Sequence, residues 1–166
     1  MTSWSARTKD GSHSLIVDAD ALREIDSICS AAGDIETGGV LIGRYSANGT
    51  TATILEATAP PSDSQQGHTW FNRGSAGLRK TLQQRWRNKE RSYYIGEWHF
   101  HPAAHVVPSA DDFSQMAQIA NANQYKCREP LLLIFGAAKN QSGQRVVRAF
   151  VCPAGDLPIE LIGTDV

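Results

Sequence analysis

The chain has 166 residues, of which 41% are hydrophobic and 20% charged, with a formal net charge of −1. This composition is ordinary for one globular domain and excludes disordered, collagen-like and coiled-coil proteins. A near-neutral charge gives no field that attracts nucleic acid or acidic lipid, so we expect neither as a partner. The longest apolar block, Leu131 to Phe135, is far shorter than the ~18 residues of a membrane span.

The first third of the chain predicts a lead-in, a strand, a helix and a hairpin. Residues 1–12 are polar, and we expect a flexible lead-in there, followed by a single domain over 13–166. A short strand is predicted at Ser14 to Val17, and the apolar spacing over 19–33 predicts a helix. Asn48-Gly49 lies between two β-rich runs and predicts a hairpin with positive φ at both turn positions.

The rest of the chain alternates helices with strands. Helical spacing recurs over 75–90 and 109–123, and β-rich runs occupy 92–101, 130–138 and 144–153. Strand pairs with inserted helices predict a mixed α/β or α+β fold, with one mixed sheet between helices.

Two histidines share one face of the strand that ends at Pro102. Because side chains alternate along a strand, His99 and His101 point to one face, while Trp98 and Phe100 point to the other face and can enter the core. Two imidazoles two residues apart can chelate one metal ion. Pro102 ends the strand because it cannot donate to a ladder.

A serine and an aspartate follow at a spacing that can complete the metal site. If the loop after His101 folds back, Asp112 reaches the same ion and leaves a fourth position open for water, which is typical of catalytic zinc. Other divalent ions also accept these ligands. Ser109-x-x-Asp112 equally matches a helix-capping box, and the two roles are compatible.

A hydrolytic zinc site also needs a general base. Glu36 is the first candidate, because it immediately precedes an apolar strand where an unpartnered charge is unfavourable. Glu97 is its rival, two residues before His99 on the same strand face. Glu97 could instead form an ion pair, or accept a hydrogen bond from an imidazole that binds the metal and so orient that ring.

These residues, in this order and spacing, resemble the signature of the JAMM metallopeptidases, the catalytic members of the MPN domain family. The resemblance extends from Leu15 to Val151 and includes the TGGVLIG segment after Glu36. It implies a JAMM/MPN-like single domain with a curved central mixed sheet flanked by helices, and one zinc ion. The roles it implies are zinc ligation by His99, His101 and Asp112, general acid/base catalysis by Glu36, and oxyanion binding by Ser109.

Catalytic members of this family hydrolyse the isopeptide or peptide bond after the C-terminus of a ubiquitin-like protein. GEWHxHP in a short chain resembles the bacterial branch found in CBASS-type anti-phage operons, which removes a conjugated nucleotidyltransferase from its targets. This implies such a conjugate as substrate and a cognate adenylating or conjugating enzyme as partner. Phe100 replaces the serine of the common HSHP motif, but it faces away from the metal. A peptidase that processes a ubiquitin-like precursor or sulfur-carrier protein is the alternative. A metal-free MPN scaffold is disfavoured because every ligand is present.

The remaining features bear on location and partners. Three widely spaced cysteines without a CxxC pair, and an N-terminus without an apolar signal core, favour a reducing cytoplasm. His13, His68 and His105 are expected at the surface or in hydrogen bonds. Six basic residues around the second helix form either a solvated face or a docking patch for an acidic partner: Arg79, Lys80, Arg85, Arg87, Lys89 and Arg91.

Overall fold

The computed structural model describes residues 2–103 and 105–164. Within these ranges the chain forms ten strands and three helices. In chain order they are β1 (Trp4–Thr8), β2 (Ser14–Val17), α1 (Ala19–Ala32), β3 (Thr37–Tyr45), β4 (Thr51–Ala57), β5 (Gln65–Gln66), β6 (Phe71–Asn72), α2 (Leu78–Arg87), β7 (Tyr93–His101), α3 (Ala110–Asn121), β8 (Leu131–Lys139), β9 (Arg145–Val151) and β10 (Ile159–Gly163).

The main sheet is mixed and closes on itself. Its order is β1-β10-β9-β8-β7-β3-β4-β2, and β1 pairs with both β10 and β2. The β2–β4 and β7–β8 pairs are parallel, and the other pairs of this sheet are antiparallel. The predicted mixed α+β fold is therefore confirmed. The closure goes beyond the curved sheet that the sequence predicts.

The N-terminal segment is part of this sheet. Trp4–Thr8 has hydrogen-bonded neighbours on both sides, and Ala6 and Thr8 are only 2% and 1% exposed. The predicted flexible lead-in over residues 1–12 is therefore wrong for this strand. The polar composition of residues 1–12 does not indicate this strand, because the strand forms when β2 and β10 satisfy its backbone donors and acceptors.

The hairpin between β3 and β4 is confirmed, but its turn differs from the prediction. Gly49 has a φ of +74°, whereas Asn48 does not adopt a positive φ. The Asn48 side-chain oxygen instead accepts hydrogen bonds from the Ser46 hydroxyl and from the backbone N–H of Thr50. An Asx-type turn thus replaces the two-residue turn that the Asn-Gly pair predicts.

Two apolar clusters cover opposite faces of the sheet. Leu131, Leu133 and Phe135 belong to the first and Leu132 and Ile134 to the second, which is the alternation of a strand buried on both faces. Helix α1 packs on the first cluster, which also holds the predicted core residues Trp98 and Phe100. Helix α3 packs on the second.

The three predicted helices form with different degrees of burial. Helix α3 buries Met116, Ile119 and Ala120, while Ala117 is exposed. Helix α2 buries none of its described residues. No helix in the described ranges combines the length and apolarity needed to cross a bilayer.

Candidate active site

A bulge in β7 sets which side chains reach the site. The register between β3 and β7 shifts at Leu41/Ile42, opposite Gly96, so that Ile95 and Trp98, three residues apart, both enter the first cluster. A Cβ at Gly96 would lie 2.1 Å from the Leu131 carbonyl oxygen, so only glycine fits this crossing. Beyond the bulge, ordinary alternation puts Glu97, His99 and His101 together on the face that α3 covers.

The predicted ligand set converges on this face. His99 Nδ1 lies 2.7 Å from Asp112 Oδ1, and His101 Nε2 lies 3.7 Å from Asp112 Oδ2. One ligand atom from each of the three residues falls within 4.8 Å of the others. The residues are only 3%, 8% and 8% exposed, in chain order. Two imidazoles and one carboxylate in a buried cluster have the donor chemistry of a divalent metal site, and zinc suits it.

The start of α3 carries the carboxylate to the histidines. The Ser109 backbone N–H and hydroxyl donate to Asp112 Oδ2 at 2.6 and 2.8 Å, and the Asp112 N–H donates to Ser109 Oγ at 3.1 Å. This capping box fixes the first turn of the helix. The same carboxylate turns its other oxygen to His99, so the capping contact and the contact with His99 coexist in one residue.

Glu36 enters the site from the neighbouring strand. Glu36 directly precedes β3, whose first residue, Thr37, is the register partner of Phe100. The backbone N–H of Glu36 donates to the Gly67 carbonyl at 2.8 Å. Its side chain is half-buried. Burial and the nearby Asp112 carboxylate raise the pKa of Glu36 to about 6, although His99 partly offsets them. A carboxyl group with this pKa can both accept and return a proton near neutral pH.

Gly38 and Gly39 lie where no side chain fits. Gly38 is the register partner of His99, and a Cβ there would lie 2.3 Å from the Trp98 carbonyl oxygen and 3.0 Å from the His99 ring. At Gly39 a Cβ would lie 2.2 Å from the Thr58 carbonyl oxygen. The TGG segment therefore lets β3 pass close to the histidine strand.

Opposite charges inside the cluster strongly shift the pKa values of His99 and Asp112. Burial alone would lower the pKa of His99, but contact with Asp112 and the proximity of Glu97 raise it to about 9. Burial alone would raise the pKa of Asp112, but the contact with His99 and the capping bonds from Ser109 lower it to about 2. Burial lowers the pKa of His101. The protonated form of His99 is therefore stabilised by the Asp112 and Glu97 carboxylates, and the ionised form of Asp112 by His99.

Glu97, the rival base, is committed to other partners. It is fully buried, and its Oε1 lies 2.7 Å from Arg73 Nη2 and accepts from Arg73 Nε at 2.8 Å. Gln115 donates to Oε2 at 3.2 Å and the Tyr94 hydroxyl to Oε1 at 3.3 Å. Burial alone would raise the pKa of Glu97, but His99 and Arg73 lower it. An ion pair was one of the alternative roles that the sequence left open for Glu97.

Sequence reasoning missed the partners of Glu97. Gln115 had a detectable signal, because it lies three residues after Asp112 and so shares its helix face. Arg73 had no such sequence signal, because it lies 24 residues before Glu97 in a loop between β6 and α2. Phe71 was also missed, although its ring packs edge-on against His99 with centroids 5.5 Å apart.

The other sequence candidates lie outside the cluster. His105 and His68 are exposed, and His13 lies 3.6 Å from Glu129. In the basic segment around α2, Arg85 is paired with Glu56, and Arg91 stacks on a tryptophan ring.

The fold and the site together define a mixed α+β domain with a buried group of two histidines and one aspartate that could bind a metal. Residues 18–151 match the Prok-JAB family model, described as prokaryotic homologs of the JAB domain. The chain therefore belongs to this family.

Individual relatives agree with the family assignment. The chain is 44% identical over 149 residues to a protein named CD-NTase/cGAS isopeptidase from Enterobacter hormaechei subsp. hoffmannii, covering 90% of this chain and 81% of that one. It is 29% identical over 139 residues to a protein of the same name from Pseudomonas aeruginosa, covering 82% and 84%. The solution structure of protein DSY2949 from Desulfitobacterium hafniense shares the fold, with a TM-score of 0.63, 21% identity and 87% of each chain covered.

Proposed function

We propose that this chain is a zinc-dependent JAMM isopeptidase that releases a conjugated CD-NTase, or alternatively a ubiquitin-like protein, from its targets in a CBASS-type anti-phage system. The observation that carries the proposal is the buried convergence of His99, His101 and Asp112 beside Glu36. Membership of the JAB family and the names of two relatives support the substrate class.

The metal would be held by His99, His101 and Asp112. Their donor set of two nitrogens and one oxygen fits zinc, and three protein ligands leave a position for substrate or water. Zinc, when bound, supplies Lewis acidity that polarises the scissile carbonyl and makes water a usable nucleophile at neutral pH.

Glu36 would move the proton. At neutral pH a carboxyl group with a pKa of about 6 is mostly ionised, so it can accept a proton from the attacking water. Once protonated, it can donate that proton to the departing lysine or α-amine. Glu97 is unsuited to this step because it is fully buried and its charge is paired with Arg73.

Ser109 would stabilise the developing oxyanion. Its side chain is exposed beside the cluster, but its hydroxyl hydrogen is directed at Asp112 Oδ2. The hydroxyl has one hydrogen, so donation to a substrate oxygen requires it to turn away from Asp112. The Ser109 backbone N–H also binds Oδ2, so the carboxylate keeps a capping donor when the hydroxyl turns.

The substrate would enter as an extended C-terminal tail that adds a strand beside the active site. The exposed β5 pairs with β6 in a two-stranded sheet, and Gly67, directly after β5, accepts the backbone bond from Glu36. This places a hairpin with polar main-chain groups next to the proposed general base. The protein itself would act in the cytoplasm, in keeping with its free and buried Cys29, Cys127 and Cys152.

Two matched fusions test the reaction. One joins the C-terminus of a CD-NTase to a lysine side chain, and the other joins it to a linear peptide. We expect the purified protein with zinc to cleave the lysine-linked fusion faster, whereas a preference for the linear fusion would favour precursor processing.

Glu36→Ala should abolish cleavage but still bind zinc. Retained cleavage would refute the role of Glu36, and a zinc stoichiometry near zero in the wild-type protein would favour the scaffold alternative.

A further inference from the structure

The buried polar group behind His99 extends away from the proposed metal ligands. Glu97 and Arg73 form an ion pair whose side chains are 0% and 6% exposed. Two charges withdrawn from water this completely are stable only with close geometry and further hydrogen bonds. Arg73 meets that requirement, because it also donates to the Gly74 carbonyl at 2.7 Å and to the Tyr125 hydroxyl at 3.0 Å.

The two ring nitrogens of His99 face different carboxylates. Nδ1 faces Asp112 at 2.7 Å, and Nε2 faces Glu97 Oε2 at 3.8 Å. Nε2 is buried and has no hydrogen-bond partner within the described part of the chain. Glu97 Oε2 is thus the carboxylate oxygen toward which this nitrogen points, and because 3.8 Å exceeds hydrogen-bond distance, the gap must narrow for the hydrogen bond to form.

We propose that Arg73 is a positioning residue of the metal site, which acts through Glu97 on His99. Arg73 holds the carboxylate by two N–H groups, and the other carboxylate oxygen fixes the tautomer and the plane of the imidazole. A histidine that binds a metal through one nitrogen commonly donates the other N–H to a carboxylate, and loss of such a partner lowers metal affinity about 10–100-fold. This inference rests on the proposed function, since it requires that the cluster binds zinc.

The position of Arg73 in the fold gives the proposal a second consequence. Arg73 lies in the loop that leads into α2, and Tyr125 lies in the turn after α3. The guanidinium therefore ties the segments before α2 and after α3 to the strand that carries both histidines. A residue with this placement affects the site without touching substrate or metal.

Zinc affinity tests the proposal without measuring cleavage. We would titrate the metal-free protein with zinc in competition with a chelating indicator. Glu97→Gln keeps the shape of the side chain but removes its charge, and Arg73→Lys keeps the positive charge but removes the two-pronged contact. We expect both to bind zinc at least tenfold more weakly than the wild type. Arg85→Lys is the matched control, because Arg85 makes the same kind of contact with Glu56 at the surface, and it should bind zinc normally.

A measurement on the wild-type protein covers the case in which a variant fails to fold. In the zinc-loaded protein, the ring N–H of His99 that faces Glu97 should give a downfield proton resonance that exchanges slowly with water. Folded variants with wild-type zinc affinity would overturn the inference, as would rapid exchange of that proton. If the wild-type protein binds no zinc at all, the proposed function fails with it. Zinc binding that is normal in both variants leaves the proposed function intact and rejects only the role of Arg73.

Discussion

The His99–Asp112 contact predicts an unusual pH dependence of stability in the metal-free protein. The pKa of His99 is raised from 6.5 to about 9, and that of Asp112 is lowered from 3.8 to about 2. A raised histidine pKa stabilises the fold fully below pH 6.5, and this contribution is lost as the pH rises through 9. A lowered aspartate pKa stabilises the fold above pH 3.8, and this contribution is lost as the pH falls through 2.

The structure sets the size of the alkaline effect. The difference between 6.5 and about 9, at about 1.4 kcal/mol for each pH unit, corresponds to about 3 kcal/mol of folding free energy. His99 is almost fully buried, so solvent screens this interaction little. The same contact underlies the lowered pKa of Asp112, so the two contributions are not added together. Between pH 6.5 and 8.5 we therefore expect a loss of about 2 kcal/mol, since most of the window is crossed.

Urea unfolding in the presence of a chelator measures this loss. The wild-type protein should become less stable between pH 6.5 and 8.5, whereas Asp112→Asn, which removes the partner charge, should show a much smaller slope. Ionisation of cysteine thiols in the unfolded chain affects both proteins equally, so the comparison cancels it. Equal slopes in the two proteins would show that no charged His99–Asp112 pair forms.

Five further outcomes follow from the same site. Chelation should abolish cleavage, and added zinc should restore it. Zinc affinity, measured by competition with a chelating indicator, should rise with pH up to about 9 because the metal requires a neutral His99. The cleavage rate at saturating zinc should fall toward acid pH as Glu36 becomes protonated, beginning at or below pH 6 because bound zinc lowers the pKa of a nearby carboxyl group; a rate that does not change with pH across the acidic range in which the fold is intact would contradict its role as base. Ser109→Ala should reduce kcat about 10²–10³-fold and stability by about 1 kcal/mol, whereas Ser109→Thr should retain both functions; loss of stability alone would leave only the capping role. Gly38→Ala should reduce the free energy of unfolding by at least about 1–3 kcal/mol, because the new Cβ meets the Trp98 carbonyl; wild-type stability in urea would mean that β3 can shift.

Local chemistry explains why the cluster of His99, His101 and Asp112 could be predicted from sequence. The period of two along a strand is enough to separate His99 and His101 from Trp98 and Phe100, and both aromatic side chains are in the core as expected. The capping box at Ser109 is equally local, since it spans three residues and needs only the first turn of a helix. The order of these features along the chain identified the family that the comparisons confirm.

The closure of the sheet and the environment of the histidines depend on contacts between distant segments. β1 is polar and short, and only its simultaneous pairing with β2 and β10 makes it a strand. Arg73 reaches Glu97 across 24 residues, and no periodicity connects the two. The sequence by itself determined which side chains face the candidate metal site, because alternation and capping act over a few residues. Tertiary structure decided which charges surround those side chains, because a buried charge takes its partner from whichever segment the fold brings within reach.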